Sequence, residues 1–202
     1  MARAPERPRE TALRRGGRPR SARAERAILQ ATLELLAEGG VGRLTVEGVA
    51  VRAGVAKTTV YRRYRSKYDL GLAVLIDLVD EMGAVPDMGE TRRELLTFVE
   101  GAVRVLSGTL MGRIMQGLVS DLAADPGLAT AFRAGAVARR QRALADILAR
   151  AVARGDLRPD TDPELAYELL LGPVYYRLLA HGEKVEVSPE DVVAAVLRAF
   201  AP

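Results

Sequence analysis

Residues 56–64 are dense in side chains that can hydrogen-bond to nucleic acid. Arginine and lysine can pair with the O6 and N7 atoms of guanine, and a threonine methyl group can contact the thymine methyl group. Tyrosine hydroxyl and lysine ammonium groups can bind phosphate and fix the register of a protein on DNA. On the outer face of one helix, this set predicts a surface that reads double-stranded DNA, with a solvated basic face on a helical hairpin as the alternative. The residues are Lys57, Thr58, Thr59, Tyr61, Arg62 and Arg63.

Two short helices joined by a tight turn would position this surface, and residues 45–64 have the pattern of a helix-turn-helix. The Thr45 hydroxyl can cap the first helix of the pair, and Gly54 can adopt the left-handed conformation that the turn needs. Arg63 is charged where an apolar residue is common, so we expect Tyr64 to fill the inner position. The predicted contacts between the two helices are Val49, Ala50, Ala53, Val55 and Val60.

The rest of the chain has helical periodicity and no convincing strand, which predicts an all-α fold of about nine helices. The first helix should run from Ser21 to Gly39-Gly40, where glycine stops it. A later helix should begin at Ser66, with Asp69 completing a capping box, and reach Met82. Asp or Ser before proline marks three further helix starts. Helices are thus expected over 91–107 and 111–124 and from near residues 126, 163 and 189.

Charge divides the chain into a basic N-terminal part and an acidic remainder. Residues 1–68 hold 16 Lys/Arg and 6 Asp/Glu, whereas residues 69–202 hold 14 Lys/Arg and 20 Asp/Glu. A basic part concentrates near polyphosphate, although a solvated basic tail is the plainer explanation. The pattern predicts a disordered basic arm over 1–20, a DNA-binding domain over 21–66 and a helical regulatory and dimerisation domain over 67–202. Arginines of the arm could enter the minor groove or tether the protein to DNA without specificity.

The stretch from Leu44 to Leu70, with GVAKTTVYRRYRSKYDL at its core, resembles the tetracycline-repressor (TetR) family of DNA-binding regulators. The length of about 200 residues and the DNA-binding part at the N-terminus are also similar to that family. The segment GPVYYRLL, from Gly172 to Leu179, resembles the penultimate helix of a large subgroup. The resemblance implies a repressor that binds a palindromic operator and is released from it by a small-molecule ligand.

The same resemblance assigns roles to individual residues. It implies that Thr45, Tyr61 and Lys67 contact phosphate. Ala56 occupies a position where many members carry a serine that caps the reading helix, so that cap is expected to be missing. The residues that would face bases or their flanking backbone are Lys57, Thr58, Thr59 and Arg62.

The helix predicted over 163–181 is apolar on more than one face. A surface helix of a monomer needs only one apolar stripe, so a second face predicts a partner subunit. Together with the last helix it would form a four-helix bundle across a two-fold axis, making a homodimer. Burial inside a large monomeric core is the alternative. The predicted interface residues are Leu170, Val174, Tyr175, Leu178, Val193 and Leu197.

A pocket for a small, largely apolar ligand is expected between the helices of the second domain, mainly because the family resemblance implies one. Methionine suits irregular apolar pockets, although it is also ordinary core filler. The helix from Ser66 to Met82 would link this pocket to DNA. The candidate pocket residues are Met82, Phe98, Met111, Met115 and Phe132.

Other classes of protein fit the sequence less well. His181 is the only histidine, there is no cysteine, and no phosphate-binding glycine loop is present, which argues against a His-based or P-loop enzyme and predicts neither metal nor cofactor. A chromosome-coating or RNA-binding protein is the third class, and the sequence has no aromatic stacking platform on strands. With no apolar run long enough to cross a bilayer and no signal peptide pattern, a cytoplasmic location is expected.

Overall fold

The computed structural model describes residues 18–182 and 185–202. Within these residues the chain is all-α, as the sequence predicts, and it folds into nine helices. One of them, α7 over 126–154, consists of Pro126–Phe132, a π-helical turn at Arg133–Val137 and Ala138–Arg154, which follow one another without a break. The others are α1 (Arg18–Arg43), α2 (Val46–Arg52), α3 (Lys57–Tyr61), α4 (Lys67–Glu81), α5 (Thr91–Leu106), α6 (Leu110–Ala124), α8 (Pro163–His181) and α9 (Pro189–Ala199).

Helix α1 begins at Arg18, three residues before the predicted start and inside the segment expected to be an unstructured arm. The rest of the expected arm, residues 1–17, lies outside the described residues. Regular helical geometry is lost at Gly39 and Gly40, as predicted, and Gly40 has a φ of 63°, a conformation that favours glycine. The chain therefore kinks before the short segment that leads into α2.

Helices α2 and α3 form the predicted helix-turn-helix. The Thr45 hydroxyl accepts a hydrogen bond from Gly48 N–H at 3.0 Å, which confirms the predicted cap of α2. Gly54 has the left-handed φ of 64° that the turn requires. Ala56 precedes α3 without a side-chain cap, as its methyl group dictates.

Helix α4 leaves this small domain and enters the larger one. Ser66 and Asp69 form the predicted capping box, in which each side chain accepts a hydrogen bond from the backbone of the other residue. Three X-Pro pairs start helices as predicted, because Asp125, Asp162 and Ser188 each cap a helix whose first residue is proline.

The helices after α4 pack around one continuous apolar core, which includes Phe98, Leu144, Leu170 and Phe200. Helix α5 lies at its centre, against α6, α7, α8 and α9. In the described part of the chain no single helix is long and apolar enough to cross a membrane, although α5 and α6 reach that length and composition together across an 85° bend.

Candidate DNA-binding surface and ligand cavity

The outer face of α3 and the turn that follows it present the predicted DNA-reading residues together. The inner side is fixed by Val60, which is fully buried, and by Tyr64, which occupies the inner position that Arg63 leaves open. Arg63 is half-buried and its Nη1 lies 3.5 Å from the carbonyl oxygen of Thr59. Thr59 is also half-buried. The remaining members, Lys57, Thr58, Tyr61 and Arg62, are exposed.

A residue that the sequence reasoning missed, Glu47 on α2, organises this face. Its Oε1 atom lies 3.3 Å from Lys57 Nζ and 3.5 Å from the Tyr61 hydroxyl. The pKa of Glu47 is lowered by a hydrogen bond from its own backbone N–H and by Lys57, so the carboxylate stays ionised beside both side chains. The sequence does offer a signal for this role, because Glu47 is the one acidic residue within the helix-turn-helix sequence 45–64.

Lys67, expected to contact phosphate by family resemblance, is the first residue of α4 and contacts the end of α1. Its Nζ atom is 3.5 Å from the carbonyl oxygen of Val41, near the end of α1, and 5.3 Å from the centre of the Tyr68 ring. The side chain is half-buried, so Lys67 would have to leave Val41 before it could reach a phosphate. Thr45 uses one lone pair in capping α2, and its hydroxyl hydrogen remains able to donate to an oxygen.

A narrow, largely apolar cavity lies between α4, α5, α6, α7 and α8 in the larger domain. Four of the five predicted pocket residues, Met82, Met111, Met115 and Phe132, line it. Phe98 does not, because it is fully buried behind the wall, where its ring lies against a lining side chain. The other lining residues are Leu75, Val79, Leu106, Ala136, Val137, Arg140, Tyr167 and Tyr175.

Arg140 is the feature of this cavity that sequence reasoning missed. Its side chain is only 3% exposed, and its guanidinium stacks on the Phe98 ring at 3.9 Å from the ring centre. One guanidinium nitrogen, Nη2, donates to the carbonyl oxygen of Phe98 at 2.9 Å, whereas Nε has no hydrogen-bond partner among the described residues. Burial lowers the pKa of Arg140, and the neighbouring hydroxyls of Tyr167 and Tyr175 oppose that shift.

The predicted dimer interface needs correction, because four of its six residues face the interior of their own subunit. Leu170, Val174, Leu178 and Val193 are fully buried there, against neighbouring helices, so they are not available to a partner; Tyr175 and Leu197 are half-buried. The opposite side of α8 is apolar and exposed instead, with Tyr176 66% exposed. This outer stripe, at spacings of three and four residues, comprises Leu165, Leu169, Tyr176 and Leu179, with the exposed Gly172 between them.

Helix α4 connects the two candidate sites through contacts at both of its ends. At its start, Tyr68 faces Asp125, which caps α7, and this carboxylate raises the pKa of the Tyr68 hydroxyl. Near its end, Asp80 forms a two-bond ion pair with Arg139, at 2.6 and 2.9 Å. Between them the π-helical turn of α7 packs closely on α4, since a methyl group at Gly135 would lie 2.7 Å from Leu72 Cδ1.

Known proteins match the two halves of this architecture. Residues 28–74 match the family described as bacterial regulatory proteins, tetR family, and residues 85–199 match the tetracyclin repressor-like C-terminal domain. The chain is 30% identical over 184 residues to the uncharacterized HTH-type transcriptional regulator YdeS of Bacillus subtilis (strain 168), covering 91% of each chain.

Two further matches agree with that one. The DNA-binding transcriptional repressor TetR of Mycobacteroides abscessus is 30% identical over 166 residues, covering 77% of this chain and 82% of the relative. The crystal structure of the TetR family transcription regulator SCO0332 is 36% identical and superimposes with a TM-score of 0.70, covering 89% of this chain and 99% of that one. The chain therefore belongs to the TetR family and is a helix-turn-helix transcriptional regulator, not an enzyme.

Proposed function

We propose that this regulator is a homodimeric repressor that binds a palindromic operator through α3 and leaves it when a small molecule fills the cavity of the larger domain. The observation that carries the proposal is the single helix α4, which joins the helix-turn-helix to the cavity wall. A relative that is 30% identical is a DNA-binding transcriptional repressor, which supports repression over activation. Such a protein would act in the cytoplasm, where the operator lies.

We assign DNA binding to residues 21–66, with the basic segment 1–20 as an arm, and regulation and dimerisation to residues 67–202. Arg62 and Lys57 are exposed and can reach base edges in the major groove. Thr45, Thr58, Thr59, Tyr61 and Arg63 surround them, and Lys67 would join after leaving Val41. Phosphate contacts would set the register, and base contacts would set the sequence preference.

We place the dimer interface on the outer stripe of α8 rather than on its inner face. Its spacing of three and four residues suits packing against the same stripe of a second copy around a two-fold axis. Exposed apolar residues in a row on one helix favour a partner over solvent. Two α3 helices would then stand at a fixed separation, which a palindromic operator matches with two half-sites.

Release follows from thermodynamic reciprocity. A ligand that prefers the arrangement unable to bind DNA must lower DNA affinity, and DNA must lower ligand affinity by the same factor. The cavity is lined by Leu75 and Val79 of α4 and by Ala136 and Val137 of the π-helical turn packed on α4. A ligand that moves the turn would tilt α4 and change the separation of the two reading helices.

The test is selection of bound sequences from a random pool of double-stranded DNA by the full chain. We expect a palindrome whose half-sites are spaced by about one helical turn or a multiple of it. Recovery of unrelated sequences would contradict sequence-specific binding, and recovery of an asymmetric single site would contradict the dimer. Sizing with light scattering at micromolar concentration, where a dimer is expected, measures the oligomeric state independently of DNA and so tests dimerisation apart from sequence specificity.

A further inference from the structure

Arg140 carries a positive charge in a place where a protein ordinarily supplies a negative one. Buried charges in proteins are paired or hydrogen-bonded, because removing them from water is costly. No carboxylate forms an ion pair with Arg140 in the described part of the chain, and its Nε has no partner. The guanidinium is too basic to lose its proton, so the charge persists despite the lowered pKa.

We propose that the ligand of this cavity is an amphipathic carboxylate whose negative headgroup binds Arg140 and whose apolar body lies among the methionines. This inference rests on the proposed function and names the class of its ligand. It also changes the sequence-based expectation of a largely apolar molecule, since one end of the ligand is now charged.

The lining of the cavity suits a ligand with a single negative charge. Among the described residues that line it, Arg140 is the single cation and none is acidic. A guanidinium presents its N–H groups in a planar fork that matches the two oxygens of a carboxylate. The Tyr167 and Tyr175 hydroxyls also line the cavity, and burial raises the pKa of both, so they remain protonated donors for the same headgroup.

The remaining lining fixes the nature of the rest of the molecule. Apart from these three residues the wall is aliphatic, aromatic or thioether in character. Methionine side chains adapt to irregular apolar shapes, so this part of the cavity can accept a flexible or aromatic body. The headgroup would lie near α8 and the middle of α7, and the body would extend toward Met82, Met111 and Met115.

The headgroup position also ties ligand binding to α4. Arg140 lies three residues after the end of the π-helical turn Arg133–Val137, and Arg139 beside it holds Asp80 of α4 in a two-bond ion pair. A carboxylate that draws Arg140 toward the cavity would therefore act on the segment of α7 that touches α4. The charge on the ligand thus provides both affinity and the force on the connecting helix.

A structural role for Arg140 is the competing explanation. The guanidinium stacks on Phe98 and donates to its carbonyl oxygen, and these two contacts could serve packing alone. In that case the charge would have no effect on which ligand binds. The two explanations differ in whether a carboxylate binds better than a neutral molecule of the same shape.

The experiment compares acids with their primary amides on the wild-type chain, using 4-phenylbutanoate and decanoate by isothermal titration. We expect each acid to bind at least about tenfold more tightly than its amide, because a buried charge-assisted pair replaces a neutral contact. Arg140→Met should lower acid affinity to that of the amide. The matched control is Arg142→Met, on the exposed side of the same helix, which should leave the ratio unchanged.

Three results would overturn the proposal: equal binding of acids and amides by the wild-type chain, undiminished acid binding by Arg140→Met, or no binding of either acid. The first comparison needs no variant, so it holds even if Arg140→Met does not fold. Operator titration with a bound acid tests the ligand class and ligand-controlled release separately. If the acid binds through Arg140 and operator affinity stays constant, the ligand class stands and ligand-controlled release fails.

Discussion

Two buried charges in the larger domain are treated in opposite ways. Glu94 on α5 is fully buried, and its carboxylate is met by Arg150 at 2.7 Å, by Arg154 at 3.1 Å and by the backbone N–H of Met88 at 3.2 Å. Arg140 on α7 is 3% exposed and has one carbonyl oxygen and one aromatic ring. Glu94 is therefore satisfied from within the protein, whereas Arg140 leaves Nε unpaired beside a cavity.

This difference distinguishes a buried charge that stabilises the fold from one that is available to bind a ligand. A satisfied network ties segments together, and the Glu94 cluster fastens the loop before α5 to the end of α7. An unsatisfied group persists where something other than the folded chain completes it. The two faces of α8 show the same contrast with apolar groups, since the subunit covers the inner face whereas none of the described residues covers the outer stripe.

The largest effect is expected from a matched pair of substitutions on the two faces of α8. Leu178→Asp places a charge in a fully buried apolar site and should cost more than about 4 kcal/mol of unfolding free energy, so that the chain is largely unfolded. Leu169→Asp, on the outer stripe, should leave the subunit folded and break the dimer. Circular dichroism and light scattering report the two properties separately; a folded dimer of Leu169→Asp would contradict the interface.

The Glu94 cluster should show the next largest effect. Glu94→Gln removes the carboxylate that serves two partly buried arginines, and we expect a loss of about 3 kcal/mol in the free energy of unfolding. Glu100→Gln, an exposed position on the same helix, is the control and should change it by less than about 0.5 kcal/mol. Urea denaturation of both variants measures the difference. If both variants were equally stable, the ion pairs of Glu94 with Arg150 and Arg154 would not stabilise the fold.

On the DNA-reading face, Arg62 is exposed, and we propose DNA as its partner, as we propose a ligand for Arg140. Arg62→Ala should leave thermal stability unchanged and cost about 1–3 kcal/mol at the operator, with relaxed preference at one base pair. Competition binding against operator variants measures both. If affinity falls equally for the operator and for random DNA, Arg62 contacts phosphate and does not specify sequence.

The features predicted from sequence are those with local signals. The cap of α2 at Thr45, the left-handed turn at Gly54 and the helix start at Asp125-Pro126 each depend on neighbouring residues, and all three were confirmed. Four of the five candidate pocket residues line the cavity, and the expectation of a pocket there came mainly from the family resemblance, because methionine and phenylalanine are also ordinary core residues.

The features that sequence could not reveal depend on distant residues. Arg140 reaches the carbonyl oxygen of Phe98, 42 positions away, so its lack of an acidic partner emerges only in three dimensions. Four of the six predicted dimer residues face the interior instead, because α8 is apolar on both faces and periodicity alone does not tell which face the subunit covers. Glu47 likewise meets Lys57 and Tyr61 only after the turn folds α3 back on α2.

The smallest change in the free energy of unfolding is expected for Arg140→Met, which directly tests the contrast between the two buried charges. Arg140→Met keeps an unbranched apolar stem while removing the charge, so the cavity loses its unpaired Nε and the desolvation cost of the guanidinium. The variant also loses the stacking on Phe98 and one hydrogen bond, which offset part of that gain. We therefore expect the free energy of unfolding to stay constant or rise by about 1 kcal/mol, opposite in sign to Glu94→Gln. Urea denaturation without added ligand gives the answer, and a loss as large as that of Glu94→Gln would show that Arg140 is a structural residue whose partners were already sufficient.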